Sequence, residues 1–366
     1  MSEFRDELIA SLAAPRTKLS TSAVPTEDLL SSGSTLLNLA CSDRVNGTFC
    51  KGRYFFFVGD SSSGKTFLAL TCFAEACRNP HFDKYRLIYD NSEDGALMDM
   101  ERFFGSKMVS RLEPPRVEDG KPVYSRLAEE FYFNLYDALT NKRPCIYILD
   151  SMDSLDTKYS GKKFTEAKAA HEKGKVAKGD YGDGKAKLNS QHIRKVGALL
   201  RDTGSILIVI CQTRDAIDAG MFEPQQTYAG GRAIKFYAGL EIWTSVGSRL
   251  KKTVNGKERQ VGIIARCKVK KNRITGHEMT VEVPLYWSTG IDDVGSIVDF
   301  LVDEGHWKKN KGGIIKADEI EACLPREELI QHVEANNLER DLQMTASAVY
   351  LGILQKCQME RKKRYE

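Results

Sequence analysis

A mostly parallel β-sheet covered by helices on both faces is the fold class this sequence predicts. Two observations carry it. Apolar runs at residues 54–58, 87–89, 146–149, 206–211 and 240–244 read as buried strands. Helical patterns, among them 67–77 and 191–201, separate most of these runs. Strands alternating with helices mark an α/β sheet with parallel neighbours. A chain of 366 residues suits one large core with a smaller appendage.

In chain order, residues 1–13 read as a short amphipathic helix with Phe4, Leu8, Ile9 and Leu12 on one face. The stretch "APRTKLSTSAVPTE" follows as a linker, so 1–30 forms an N-terminal helix and linker. The core spans 31–289 and ends with two further strands, at 263–269 and 279–284, expected to be antiparallel. Near Gly290 the character changes to a helix at 294–304, a turn-rich "GHWKKNKGG" and more helical patterns. Residues 290–366 are therefore expected to form a small C-terminal domain. No internal repeat is visible. Residues 156–184 are the one low-complexity segment, lysine-rich with scattered glycine, and are expected to be mobile.

Hydrophobic residues make up 42% and charged residues 28%, an ordinary mixture for a soluble protein. The net charge of +4 is too small to name a partner. Its distribution is more informative. Ten basic residues and one acid, Glu258, lie between Arg249 and Arg273, and eleven basic residues face five acids between Asp156 and Lys195. Both excesses point to anionic partners. Nine cysteines show no repeated CxxC and no paired histidine spacing, which disfavours a zinc site or a disulfide framework. No signal peptide and no run of membrane-spanning length is present, so a soluble, cytoplasmic protein without a membrane partner is expected.

The stretch "FFFVGDSSSGKT" carries G-x-x-x-x-G-K-T between an apolar strand and the helical "FLALTCFAEA". That context is the confirming test for a phosphate-binding P-loop. Gly59, Asp60, Ser61, Ser62, Ser63 and Gly64 would wrap phosphate oxygens with backbone N–H groups at a helix start. Lys65 would neutralise β/γ-phosphate charge, and the Thr66 hydroxyl would ligate Mg²⁺. In "CIYILDSMDSL", Asp150 ends an apolar strand, where its carboxylate can hold the same Mg²⁺ shell. ATP with Mg²⁺ is thus the expected cofactor. Hydrolysis also needs a group to orient or deprotonate water. In "RLIYDNSEDGAL", Asp90, Glu93 and Asp94 all qualify on chemistry alone.

Together these residues resemble the RecA family of recombination ATPases, over about 30–316. "SSGSTLLNLA", "GDSSSGKT", "ILDS", "ICQTR", "AGGRAIKFYAG" and "KVKKNRI" occur in the family's order, and the last two are the most specific. The pattern is most similar to the recombinases of tailed phages, which would put the protein in the cytoplasm of a bacterial host. The resemblance implies a RecA-like P-loop ATPase core, a short N-terminal helix contacting the next protomer and a small α+β C-terminal domain. It selects Glu93 as the residue that activates water. It makes Gln212, at a strand end, the sensor of the γ-phosphate, passing that state to a DNA-binding loop from Thr213 to the glycines Gly230 and Gly231. In that loop Arg214 would face DNA phosphates, and Met221 and Phe222 match apolar tip residues that wedge against bases.

Lys187, Gln191 and Arg194 recur at helical spacing on one face, with Leu188, Val196, Leu199 and Leu200 on another. Lys187 and Arg194 match basic positions that the family uses on the DNA backbone, giving affinity without base reading. Lys271 and Arg273 of "KVKKNRI" match cations that reach the neighbouring protomer's γ-phosphate, with Lys235 and Phe236 near the same contact. The implied function is an ATP-dependent DNA recombinase. It would form helical filaments on single-stranded DNA, pair it with homologous duplex DNA and meet single-strand-binding and mediator proteins. A hexameric helicase and a RecA-like ATP-binding scaffold without strand exchange are the alternatives.

Overall fold

A computed structural model describes residues 24–94, 98–172, 184–215, 226–228 and 230–361. The expected N-terminal helix at 1–13 and the loop-tip pair Met221 and Phe222 lie outside the described residues.

Among the described residues the central sheet has nine strands. Four are parallel and buried: β1 (Arg53–Gly59), β2 (Arg86–Asp90), β3 (Cys145–Leu149) and β4 (Ile206–Asp215). A short β5 (Gln226–Tyr228) pairs antiparallel with the end of β4. On the other side of β1 lies β6 (Leu240–Val254), parallel to it. Then β7 (Lys257–Asn272), β8 (Thr280–Tyr286) and β9 (Gly290–Ile291) continue the sheet antiparallel. Apart from β5, the spatial order is β9-β8-β7-β6-β1-β4-β3-β2.

Alternation along these strands builds two cores. Phe55, Phe57, Ile146, Ile148, Ile206, Ile208 and Ile210 point into one cluster, with Leu68, Ala69, Cys72, Phe73 and Ala76 of helix α2. Tyr54, Phe56, Val58, Tyr147, Leu149, Leu207 and Val209 point into the other, under α3 and α5. The helices are α1 (Thr35–Ser42), α2 (Lys65–Arg78), α3 (Ala128–Thr140), α4 (Lys158–Glu172), α5 (Lys185–Thr203) and α6 (Arg232–Tyr237). Near-continuous apolar strands are what a sheet buried on both faces requires. The expected α/β class is therefore the observed one.

Two elements differ from expectation. The first is α4, an exposed helix with no buried residue inside the low-complexity, lysine-rich segment. Its alanines, lysines and glutamates are good helix formers, so low hydrophobicity does not stop a solvated helix from forming. The second is the length of β6 and β7, whose charged distal halves pair from Lys251↔Gln260 to Val254↔Lys257. Their turn is Asn255-Gly256, both at positive φ (53° and 71°), the backbone a tight two-residue hairpin requires.

Beyond β9, α7 (Asp293–Asp303), a three-stranded antiparallel sheet, α8 (Arg326–Ala335) and α9 (Glu339–Lys356) enclose a third cluster around Trp307, Leu301 and Leu329. One carboxylate joins this unit to the core. Asp293 accepts the Thr35 N–H at 2.6 Å and the Thr35 hydroxyl at 2.7 Å, at the start of α1. Burial pushes its carboxyl up to about 6, against those two hydrogen bonds and one from the Gln343 side chain. A raised carboxyl contributes stability that is complete below its unfolded value and is lost as pH rises through the folded one. The urea midpoint of Asp293→Asn should therefore fall less than wild type's between pH 3.8 and about 6. Parallel slopes for the two proteins would contradict this account of the junction.

Candidate functional site

The sheet brings several polar groups to the carboxyl ends of its parallel strands. Gly59, the last residue of β1, pairs with Gln212 of β4 on one side and Thr244 of β6 on the other. A Cβ at Gly59 would stand 2.2 Å from the Thr244 carbonyl oxygen, so only glycine fits between these strands. The loop then turns through Gly64 at φ 90° into α2, whose N-terminus carries no side-chain cap. Its first N–H groups are thus left for an anion. Ser63 fastens the loop, bonding the Asp60 carbonyl and Thr244 Oγ1, both at 2.7 Å.

Lys65 lies in this loop with Nζ donating to the Asp60 carbonyl at 2.6 Å. Burial lowers its pKa, while Asp150, Glu93, Asp60 and Asp153 act in the opposite direction. Thr66 Oγ1 donates to Asp150 Oδ2 at 2.7 Å, and Tyr89 donates to the same oxygen at 3.0 Å. Burial raises the Asp150 carboxyl, opposed by these two donors and Lys65. Neighbouring ligands of an octahedral Mg²⁺ at about 2.1 Å stand about 3 Å apart, so the Thr66 and Asp150 oxygens are spaced to share one ion.

The three acidic candidates separate by what they touch. Asp90 is buried and consumed: its carboxylate accepts from Ser125 N–H, the Ser125 hydroxyl and the Tyr147 hydroxyl at 2.9, 2.6 and 2.7 Å. Asp94 is exposed, with its backbone at φ 53° in a turn. Glu93 is exposed too, but its N–H is held by the Asp150 carbonyl at 2.8 Å and its Oε1 accepts from Gln212 Nε2 at 2.7 Å. Of the three it is the one joined to the strand end beside the phosphate loop.

Gln212 and its neighbours are tied in series. The Gln212 N–H donates to Asp153 Oδ2 at 2.7 Å, the Thr213 hydroxyl donates to Asp60 Oδ1, and Arg214 Nη2 lies 3.2 Å from Asp153 Oδ1. The root of the loop after β4 therefore touches the phosphate loop, Glu93 and the turn after β3. The far end of that loop returns through Gly230 and Gly231, at φ 98° and 79°. Cβ atoms there would stand 2.4 Å from Ile234 Cδ1 and 2.6 Å from Ala186 Cβ, so both glycines are seated against α5 and α6. Asn189 of α5 donates to the Gly230 carbonyl at 2.9 Å and accepts from Tyr132 at 2.9 Å. On the same helix Lys187, Gln191 and Arg194 are exposed, while Ile193, Val196 and Leu200 are buried.

Lys271 and Arg273 do not meet their own phosphate loop. Lys271 Nζ donates to the Lys235 and Phe236 carbonyls at 2.6 and 2.8 Å, and Arg273 Nη2 to the Phe236 carbonyl at 2.8 Å, at the end of α6. Sequence reasoning missed Asp153, which binds both Gln212 and Arg214, and Glu241, a fully buried carboxylate behind the lysines. The repeated "DSMDS" offered a signal for Asp153. Nothing in "LEIW" marked Glu241 as charged and interior.

The family model for the RecA N-terminal domain matches residues 167–292, which take in α5, β4, Gly230-Gly231 and β6 to β9. The chain is similar to Protein RecA of Thermus thermophilus, 27% identical over 334 residues that cover 88% of each chain. It is also similar to Protein RecA of Streptococcus pneumoniae (strain Hungary19A-6), 26% identical over 305 residues, covering 77% of this chain and 67% of that one.

Lys65→Ala should abolish ATP binding in a titration with a fluorescent ATP analogue, with the fold intact by circular dichroism. A wild-type binding curve in that variant would remove the phosphate-loop assignment. Asp90→Asn should instead lower thermal stability, since it disturbs three buried hydrogen bonds, by about 1–3 kcal/mol. It should leave the nucleotide titration unchanged.

Proposed function

We propose that this member of the RecA family is an ATP-dependent DNA recombinase that polymerises on single-stranded DNA and exchanges it with homologous duplex. One observation carries the reading: the Gln212 amide is donated at 2.7 Å to Glu93, while the next residue, Thr213, bonds Asp60 of the phosphate loop. A single strand end thereby joins a candidate base, a candidate phosphate cradle and the root of a long loop.

ATP with Mg²⁺ would supply a terminal phosphate open to attack by water. Lys65 would exchange the Asp60 carbonyl for phosphate oxygens, and Thr66 with Asp150 would hold the ion. Glu93, exposed and anchored through its N–H, would take the proton of the attacking water. Gln212 would turn its amide from Glu93 to the terminal phosphate, drawing on Thr213 and Arg214 and ordering the loop against a DNA strand. Lys187 and Arg194 on the exposed face of α5 would add phosphate-backbone contacts that ignore base sequence. Lys271 and Arg273, engaged within the protomer by the carbonyls that end α6 and lying near the Phe236 ring, would meet the phosphate of a neighbour.

Electron microscopy with single-stranded DNA and a slowly hydrolysed ATP analogue should give continuous helical filaments. Closed rings would favour a helicase, and single particles a scaffold. Glu93→Gln should retain filaments but lose DNA-dependent turnover by about 10²- to 10⁴-fold, the usual contribution of a positioned base. Equimolar Lys271→Ala and Gln212→Ala protomers should partly restore activity, since about a quarter of the head-to-tail interfaces in a random polymer would be intact. No restoration would exclude a shared site.

A further inference from the structure

Behind Lys271 lies a carboxylate that the catalytic scheme does not use. Glu241, in β6, is 0% exposed, and a buried carboxylate is tolerated only with cations and hydrogen-bond donors around it. Its Oε1 accepts from the Trp243 indole N–H at 2.7 Å, and its Oε2 lies 3.3 Å from Lys235 Nζ on α6. On the neighbouring strand Glu241 pairs directly with Lys271, and Ile242 pairs with Val269, which leaves Lys270 as an extra residue. That bulge re-aims consecutive side chains. Lys270 Nζ comes to rest 3.3 Å from the centre of the Trp243 ring, while Lys271 stays opposite Glu241, where paired side chains share a face.

We infer that Glu241 is the positioning residue of this basic cluster, the buried anion that holds Lys235 and Lys271 together and keeps Lys271 an ammonium. The inference rests on the proposed reading only for its consequence, that Lys271 acts on a neighbour's phosphate.

The surroundings set the sign of the test. Burial and repulsion from Arg273 push Lys271 down to about 8, Glu241 holds it up, and Lys235 lowers it. The other titratable groups facing Glu241 are Lys270 of β7, Tyr54 of β1 and Tyr228 of β5. With Glu241 neutral, Lys271 should lose its proton at lower pH. With Lys235 neutral, it should lose it at higher pH. A residue that merely filled space would move neither.

The experiment follows acylation of Lys271 against pH in free full-length protein, by peptide mass spectrometry. Glu241→Gln should move the midpoint down by about one pH unit or more, the usual reach of a close opposite charge. Lys235→Gln, which keeps a hydrogen-bond donor at a half-exposed site, should move it up. Unmoved midpoints in both variants would overturn the inference, as would shifts of one common sign. In DNA-dependent ATP turnover, the alkaline loss should begin at lower pH in Glu241→Gln. Adding Lys271→Arg, a cation that keeps its proton, should restore it. A shifted midpoint with full turnover in Lys271→Ala would leave Glu241's hold on Lys271 standing and sink the trans role. Unmoved midpoints with turnover lost in Lys271→Ala would do the reverse.

Discussion

The pairing of Gly59 with Gln212 across β1 and β4 is the constraint from which the site's geometry follows. Parallel strands deliver their carboxyl ends to one edge, and here that edge is stepped, because β4 runs on from Val209, level with Leu149, to Gln212, level with Gly59. Asp90 pairs with Leu149 immediately before Asp150, Leu149 pairs with Val209, and Gly59 meets Gln212. A slip of one residue in any of these registers would send the polar end groups to opposite faces. The apolar alternation that fills both cores resists such a slip, so the packing of Phe55, Phe57, Ile208 and Ile210 also fixes where the phosphate loop stands relative to Gln212.

That geometry makes Gln212 a competitor's prize on the proposed reading. Its side chain has one amide nitrogen, and in the protomer that nitrogen serves Glu93. An exposed hydrogen bond to a carboxylate is worth on the order of 1 kcal/mol net, because water replaces it readily. A terminal phosphate carries more charge and lies behind a lysine, so it can take the donor at little expense. The weakness of the Gln212–Glu93 bond is therefore suited to a switch. A deeply buried version would lock the loop in one state. The same reasoning applies to Arg214, whose pairing with Asp153 leaves its side chain 56% exposed and cheap to release toward DNA.

Much of the core was legible because strands buried on both faces write themselves as apolar runs, and the phosphate loop as glycines between a strand and a helix. The charged half of the β6–β7 hairpin was not, since strands in solvent need no alternation. Its Asn255-Gly256 turn was nonetheless visible and went unread. Asp90, Glu93 and Asp94 could not be separated by chemistry because the difference lies in distant partners. Ser125 and Tyr147 satisfy Asp90, while Gln212 reaches Glu93. Glu241 was hidden for a related reason. A glutamate in a strand reads as an outward-facing residue, and its burial depends on Trp243, on α6 and on a bulge at Lys270.

The two candidate nucleic-acid elements also share a foundation. Gly230 and Gly231 close the loop after β4 against Ala186 and Asn189 of α5, the helix that bears Lys187 and Arg194. Asn189 is fully buried and bonded at both ends of its amide, to Gly230 and to Tyr132 of α3, so this seat is rigid. The opposite root of the same loop, at Gln212 to Arg214, is held by the pairing of Gln212 with Gly59, by a short ladder with β5 and by bonds to Asp60, Glu93 and Asp153. One end of the loop is thus anchored in the core and the other is tied to the phosphate edge. On the proposed reading, a change at Gln212 would pass to Thr213 and Arg214 at that edge while the Asn189 bonds keep α5 and its basic face in place.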